Sequence, residues 1–343
     1  MDWRFLIKNK EASEEWEIPF SNFSLSEELN NDRVCSVGVN VSQINEIADY
    51  YGQSFLEILS TALREIYLYE GGNLLFGGYI PEISGDSAKS EKGTITIPGK
   101  GFFSFLANRT ITKSYESEDL SDIAWDLINT TQSETCGDLG ITRGTNPTTR
   151  DADRSLTDKK IDKAILGISN NNVINGIDFE ITSDKILNVY YPFKGEKREI
   201  ILESGELGNI DYYSWRLPLI DSLCNQVKVL GDGFGEDSLA ETRDAENQYK
   251  ESFTLLQNIL SAKDVTEIET LQDKGDKYLN YYKYPQLRLT LTLNWNRVDW
   301  FQLEPGDLVR VKIPELQIDA FQRIYKRTLD QDGNIFLTLF ETV

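Results

Sequence analysis

The sequence predicts a β-rich α+β fold, and three patterns carry that prediction. "QLRLTLTLNW" sets Leu287, Leu289, Leu291, Leu293 and Trp295 against Arg288, Thr290, Thr292 and Asn294. A period of two marks a strand buried on one side. "RVCSVGVNV" (Arg33–Val41) alternates in the same way. Between these runs, two amphipathic helical patterns precede a short strand pair, which makes a compact α+β block.

Taken in order, Trp3–Ile7 and Trp16–Phe23 read as short strands ahead of Arg33–Val41. "SQINEIADYYGQSFLEILSTAL" repeats Ile44, Ile47, Tyr51, Phe55 and Leu59 at helical spacing, with an interruption at Gly52 and a cap at Ser42. In "YEGGNLLFGGYI" (Tyr69–Ile80), Gly71–Gly72 turn a hairpin, and Gly77–Gly78 mark a bulge or bend in its second strand. "SGDSAKSEKG" is a polar loop before the strand "TITIP" (Thr94–Pro98).

In the middle block, Glu116–Thr131 places Leu120, Ile123, Ala124, Leu127 and Ile128 on one helical face and opens with acids that suit a helix start. "CGDLGITRGTNPTTRDADRS" reads as a long loop, Thr157–Ser169 as a second helix, and Ile177–Ile181 with Ile186–Tyr190 as a strand pair. From Pro192 the chain returns to strands, with a helix over Asp264–Tyr282. Turns at "EPGD" and "DQDGN" separate the last strands, and "IFLTLFETV" is apolar on both faces, buried twice or meeting a partner. No repeat of fixed period is visible.

Composition narrows function by exclusion. The chain has 343 residues, enough for two or three domains. It contains no histidine, which removes Ser–His–Asp and Cys–His nucleophiles, imidazole acid–base catalysis and His-ligated metals. The cysteines are 3 in number and form no CxxC pair, which argues against a thiolate zinc site or a disulfide framework. A net charge of −21 opposes binding to phosphate backbones and anionic lipid surfaces. No apolar run is long enough to cross a membrane as a helix, and the N-terminal segment lacks the pattern of a secretory signal.

The motifs that invite a ligand do not hold their spacing. "LGDGFGE" (Leu230–Glu236) is G-x-G-x-G and carries acids where a pyrophosphate would lie, so it reads as a turn. "DQDGNIFLTLFE" places Asp330, Asp332, Asn334 and Glu341 as a calcium loop would, but its glycine falls at the wrong position and a strand follows. Asp151 and Asp153 in "RDADRS" lack a third ligand and read as a solvated loop. "DYYSW" and "YLNYYKYP" suit core or interface packing. No catalytic, cofactor-binding or metal-binding residue is assigned.

Four stretches, in order, resemble the tail-tip (baseplate) hub family of tailed phages and related injection machines. They are "IYLYEGGNLLFGGYIPEI" with "IPGKGFFSFLANRTI"; "SEDLSDIAWDLINTT" through "DFEITSDKILNVYYP"; "NQVKVLGDGFGE" with the helix "DVTEIETLQDKGDKYL"; and "LTLNW" through "LEPGDLVRVKI" with a closing hairpin. The resemblance spans nearly the whole chain. It implies an N-terminal tube-like β-barrel domain over 1–112 and a small α+β domain over 113–195. A second barrel over 196–343 would hold a helical insertion around 236–283.

It further implies a non-enzymatic virion protein without cofactor, a homotrimer forming a ring that joins a sixfold tube to a threefold tip. Implied partners are the distal tail or tail tube protein, the tape-measure protein and tip spike or fibre proteins, with DNA only in transit. The family's additional lytic or fibre-like domain is not visible here. Two other readings are a carboxylate-dependent cell-wall or glycan hydrolase and a carbohydrate-binding adhesin using the aromatic clusters.

Overall fold

The computed structural model describes residues 2–9, 14–60, 64–86, 93–144, 148–169, 176–218, 223–233, 238–262 and 265–341. The N-terminal part holds β1 (Trp3–Asn9), β2 (Glu15–Glu17), β3 (Asn22–Glu28), β4 (Val34–Asn40), α1 (Val41–Tyr51), α2 (Phe55–Ser60), β5 (Arg64–Glu70), β6 (Asn73–Tyr79), β7 (Ser84–Asp86) and β8 (Thr94–Lys100). The middle part holds β9 (Thr110–Asp119), α3 (Leu120–Gln132), β10 (Thr142–Arg143), β11 (Asp151–Lys160), α4 (Ile161–Ile168), β12 (Asp178–Ile181) and β13 (Ile186–Tyr190).

The C-terminal part begins with β14 (Lys197–Glu203) and β15 (Ile210–Arg216). A small lobe follows: β16 (Gln226–Leu230), β17 (Ala240–Asp244), α5 (Asn247–Phe253), β18 (Gln257–Ser261) and α6 (Ile268–Tyr282). The chain then closes with β19 (Arg288–Asn294), β20 (Leu308–Ile313), β21 (Ile318–Asp330) and β22 (Asn334–Glu341).

The β-rich α+β class holds. Among the described residues, however, no barrel closes by hydrogen bonding. Instead fourteen strands from both ends of the chain join in one sheet, through the ladder between β3 and β21. One apolar core runs under both halves of that sheet, from Phe5, Val37 and Leu68 to Leu291, Val311 and Leu337. The alternation read from "QLRLTLTLNW" is what fills it, because Leu289, Leu291 and Leu293 are fully buried. Two separate clusters serve the middle part and the small lobe.

Several local expectations change. Asn40, rather than Ser42, caps α1, its side chain accepting from the Ser42 amide at 3.0 Å. Gly52 ends α1 in the left-handed conformation (φ 65°), which a residue without Cβ adopts at little cost. In the middle part, residues 116–119 and 157–160 are strand, and part of the expected long loop is strand as well: β9 and β11 pair antiparallel from Thr110↔Lys160 to Asp119↔Asp151. The helices α3 and α4 start only where those strands stop, with their expected apolar faces buried.

This pair also contains a repeat that the sequence hides. Each strand carries a left-handed residue third from its end, Ser117 (φ 48°) and Asp158 (φ 47°), and each runs directly into a helix. The Ser117 amide donates to Asp153 Oδ1 (2.6 Å), and the Asp158 amide donates to the corresponding position of the other strand, Thr112 Oγ1 (3.0 Å). Those side-chain oxygens satisfy backbone donors that the bulged ladder leaves open, so the strand persists through the irregularity.

The glycines of "YEGGNLLFGGYI" divide into two kinds. Gly71 (φ 54°) and Gly72 (φ 99°) form the β5–β6 turn, as expected, and a Cβ there would meet open space. Gly77 and Gly78 do not bulge; the register shift lies at Leu68/Tyr69. They are required by close approach. A Cβ on Gly77 would sit 2.1 Å from the Ser183 carbonyl oxygen, and one on Gly78 would sit 2.2 Å from that of Lys100. Substituting Gly77 by Ala should therefore cost about 2–3 kcal/mol, as overpacking against backbone does, and Gly71→Ala only about 1 kcal/mol, from its dihedral. Urea unfolding of the two variants measures the difference; equal losses would contradict this account.

Candidate functional site

The polar feature that binds the parts together is a buried ionic junction where β3, β12 and β21 meet. On β3, Phe23, Leu25 and Glu27 share the inward phase, and on β21 so do Arg327 and Leu329. Glu27 and Arg327 are register partners and form a buried salt bridge. Arg327 also donates to the carbonyls of Trp300 (2.9 Å) and Leu303 (2.6 Å) and stacks on the Trp300 ring at 3.9 Å. Burial pushes the Glu27 carboxyl up, but Arg327 and Arg33 outweigh it and hold it below its ordinary value.

From Glu27 the network reaches into the middle part. Arg33 lies 3.4 Å from Glu27 and 3.3 Å from Glu180, and donates to Ser183 Oγ at 2.9 Å. Glu180 also accepts from Lys194 Nζ (2.6 Å) and the Tyr190 hydroxyl (2.6 Å). Its burial is opposed by Lys194 and Arg33, and its carboxyl is lowered to about 2. Asp178, fully buried, accepts from Asn30 Nδ2 (2.6 Å), the Lys194 amide (2.7 Å) and Arg323. Asp307, also fully buried, accepts from Arg198 Nε (2.7 Å) and from the amides of Glu196 and Glu304 (2.9 Å each). Ser183 Oγ meets the Leu75 carbonyl at 3.2 Å, beside the close approach at Gly77.

Such a junction fixes orientation, and it has no room for a substrate. The cavity among Glu27, Asn30, Arg33, Glu180 and Lys194 measures about 20 Å³, the space of about one water molecule. Asp32, at the same turn, faces the other way energetically. Burial raises it to about 6 although it accepts from the Ser104 amide and hydroxyl.

The motifs weighed as ligand loops take structural places. Leu230–Gly233 begins the β16–β17 connection, closed by Leu239 N→Asp232 O at 2.8 Å; 234–236 lie outside the described residues. Asp330 Oδ1 accepts from the Asp332 and Asn334 amides (3.0 and 2.9 Å), closing a hairpin turn. Asp151 and Asp153 belong to β11 and border a cleft of about 210 Å³ against α6. Among the described residues no group of three or more His, Cys, Asp or Glu is placed to hold a metal. Cys35 and Cys224 are buried, Cys136 is exposed, and burial pushes the Cys35 thiol up to about 12. "DYYSW" falls on β15, and the tyrosines at the end of α6 stack on one another, Tyr278 on Tyr282 at 4.4 Å.

Comparison of the whole chain is decisive for the fold. It superposes on the tail protein from Neisseria meningitidis MC58 with a TM-score of 0.68, at 16% identity over 99% of this chain and 97% of that one. The chain has the fold of phage tail proteins. The 43 kDa tail protein of prophage MuSo2 from Shewanella oneidensis matches this tail-protein fold with a TM-score of 0.70, at 13% identity over 98% of each chain. The E. coli c3393 protein, a type VI secretion component with structural similarity to the T4 tail proteins gp27 and gp5, matches at 0.52, with 11% identity over 97% of this chain and 75% of its own. No family model and no curated protein matches the chain.

The residues of the junction escaped the sequence reading. One signal was present: Glu27 and Arg327 occupy core-phase positions in otherwise apolar alternations. A charge in that phase needs a partner, but its identity, 300 residues away, is a tertiary fact. Arg327→Met, which leaves Glu27 buried with only Arg33 (3.4 Å) as counter-charge, should cost toward the lower end of about 3–5 kcal/mol, and Glu27→Met added to it should recover most of that loss. Urea unfolding measures both.

The lowered Glu180 value gives a pH dependence of definite sign. A carboxyl that ionises more easily in the folded state contributes stability above its ordinary 4.5, and loses it as pH falls toward about 2. Over that window the wild type should lose about 3 kcal/mol that Glu180→Gln does not lose. Asp32, raised from 3.8 to about 6, acts oppositely: its contribution is present at low pH and lost as pH rises through that interval.

Proposed function

We propose that this chain is a structural protein of a phage tail tip, a baseplate hub located in the virion tail. The observation that carries this reading is the end-to-end fold match to tail proteins, covering 99% of this chain and 97% of the Neisseria meningitidis protein. The type VI component with likeness to gp27 and gp5 supports the hub assignment in particular. In this reading three copies form a ring that continues the tail tube, adapts sixfold tube to threefold tip, and encloses the channel for tape-measure protein and DNA.

The physical features suit that role. A sheet continuous between the two ends of the chain is a stiff wall element. The junction acids Glu27, Glu180, Asp178 and Asp307 are held in ion pairs, and the cavity beside Glu27 and Glu180 is the size of about one water. We assign the three units as 1–112, 113–195 and 196–343, with the helical insertion around 236–283. Neighbours in the tail would be the distal tail or tube protein on one side and spike or fibre proteins on the other. A net charge of −21 lets DNA pass an acidic lumen without adhering.

Native mass spectrometry should give a threefold assembly, and negative-stain images should show an annulus with a central hole. A stable monomer with an open cleft would count against the ring. Zymography on cell walls should show no clearing; clearing would favour a hydrolase.

A further inference from the structure

Sheet edges differ sharply in how they are protected. At one end of the long sheet, β2 is three residues long, and its Glu15 and Glu17 are paired to Lys8 (2.7 Å) and Arg4 (2.9 Å). Short, charged edges resist association. At the other end, β15 is seven residues long, and among the described residues it pairs only with β19. β14 ends where β15 begins, the Asn209 amide bonding Glu203 O at 3.1 Å, and forms no ladder with it.

Both faces of β15 are incomplete. On the core face Trp215 stands opposite Leu289, which stands opposite Leu339 and then Ile324. The last three are fully buried, whereas Trp215 is 54% exposed; Tyr212, opposite Thr292 on the outer face, is 64% exposed. The core row thus ends in an indole in solvent. On the outer face Arg216 stands opposite Arg288; neither forms an ion pair among the described residues, and Arg288 lies over the Phe340 ring at 5.3 Å. Like charges opposed across a ladder are destabilising. Their presence in a chain of net charge −21 points to an acidic counterpart.

The same chain carries a complementary surface elsewhere. On α1, Tyr50 is 84% exposed and packs edge-on against Tyr51, which is half exposed and meets the Trp16 ring at 6.4 Å; Glu46 and Asp49 are exposed beside them and in no ion pair among the described residues. Asp49 lies toward the C-terminal end of α1, where the helix dipole disfavours a carboxylate, and the last turn holds no basic residue. The two patches carry charges of opposite sign.

We propose that a second copy of this chain docks its acidic, tyrosine-bearing α1–α2 face onto the arginine- and tryptophan-bearing β15 edge. The two patches differ, so the contact is heterologous, the kind that repeats head to tail and closes into a ring where the rotation between copies returns to its start. The contact rests on the ring reading above and assigns its interface.

Charge swapping tests it. R216E/R288E and E46K/D49K should each weaken self-association at least tenfold by sedimentation equilibrium, with thermal melting of the separated subunit not lowered. E46K/D49K should melt slightly higher, because a lysine in place of Asp49 suits the C-terminal end of α1. Combining the two variants should restore most of the lost association. Should R216E/R288E melt early, E46K/D49K on the surface helix carries the test. If the wild type assembles but neither charge reversal weakens it, or the combination fails to restore it, the contact is overturned while the ring stands. A wild type that remains monomeric to about 1 mM overturns both.

Discussion

One cross-strand pair decides how this chain is put together. Glu27 and Arg327 face each other across the ladder that, among the described strands, joins the N-terminal and C-terminal halves of the long sheet. Their charges cancel in a place where either alone would be untenable, and the remaining donors of Arg327 are taken up by the carbonyls of Trp300 and Leu303. The energetic benefit of such a pair over an apolar one is small. Its effect is on register: a slip by one residue would bury one charge against leucines and turn the other into solvent. The two halves can meet in few other ways.

The same logic extends through Arg33, Glu180, Lys194, Asp178 and Arg323 to the middle part. Charged networks of this kind set orientation more than they add stability. The glycine approach at Gly77 works with them, letting the backbone of Ser183 lie against β6, where any side chain would hold the units apart. A protein proposed to serve as a wall element in a tail needs this fixity. It transmits position between neighbours and has no need of an adaptable cavity.

The surfaces left over carry a different message. Where charges are paired and edges are short, as at β2, the molecule is finished. β15 and α1–α2 are less complete, with an exposed indole and opposed arginines on one and exposed acids and tyrosine on the other. The proposed contact between copies would cover both.

The sequence by itself determined the class and most of the elements. Period-two runs such as Leu289–Leu293 filled the core, the apolar faces of α3 and α4 were buried, and Gly71–Gly72 turned their hairpin. These signals are local, because side-chain period follows directly from backbone geometry. Absent histidine and misplaced motif spacings also argued against much chemistry from the sequence alone. Tertiary structure decided what local pattern cannot encode. Strands occupied 116–119 and 157–160 because a distant partner strand and two side-chain acceptors outweighed acidic, helix-like sequence. The two expected barrels became one sheet because β3 found β21 at the far end of the chain. Gly77 and Gly78 were needed for contact with residues far along the chain, a requirement invisible in their neighbours. Each of these outcomes depends on which surfaces meet, and that is set by packing between segments that the sequence lists far apart.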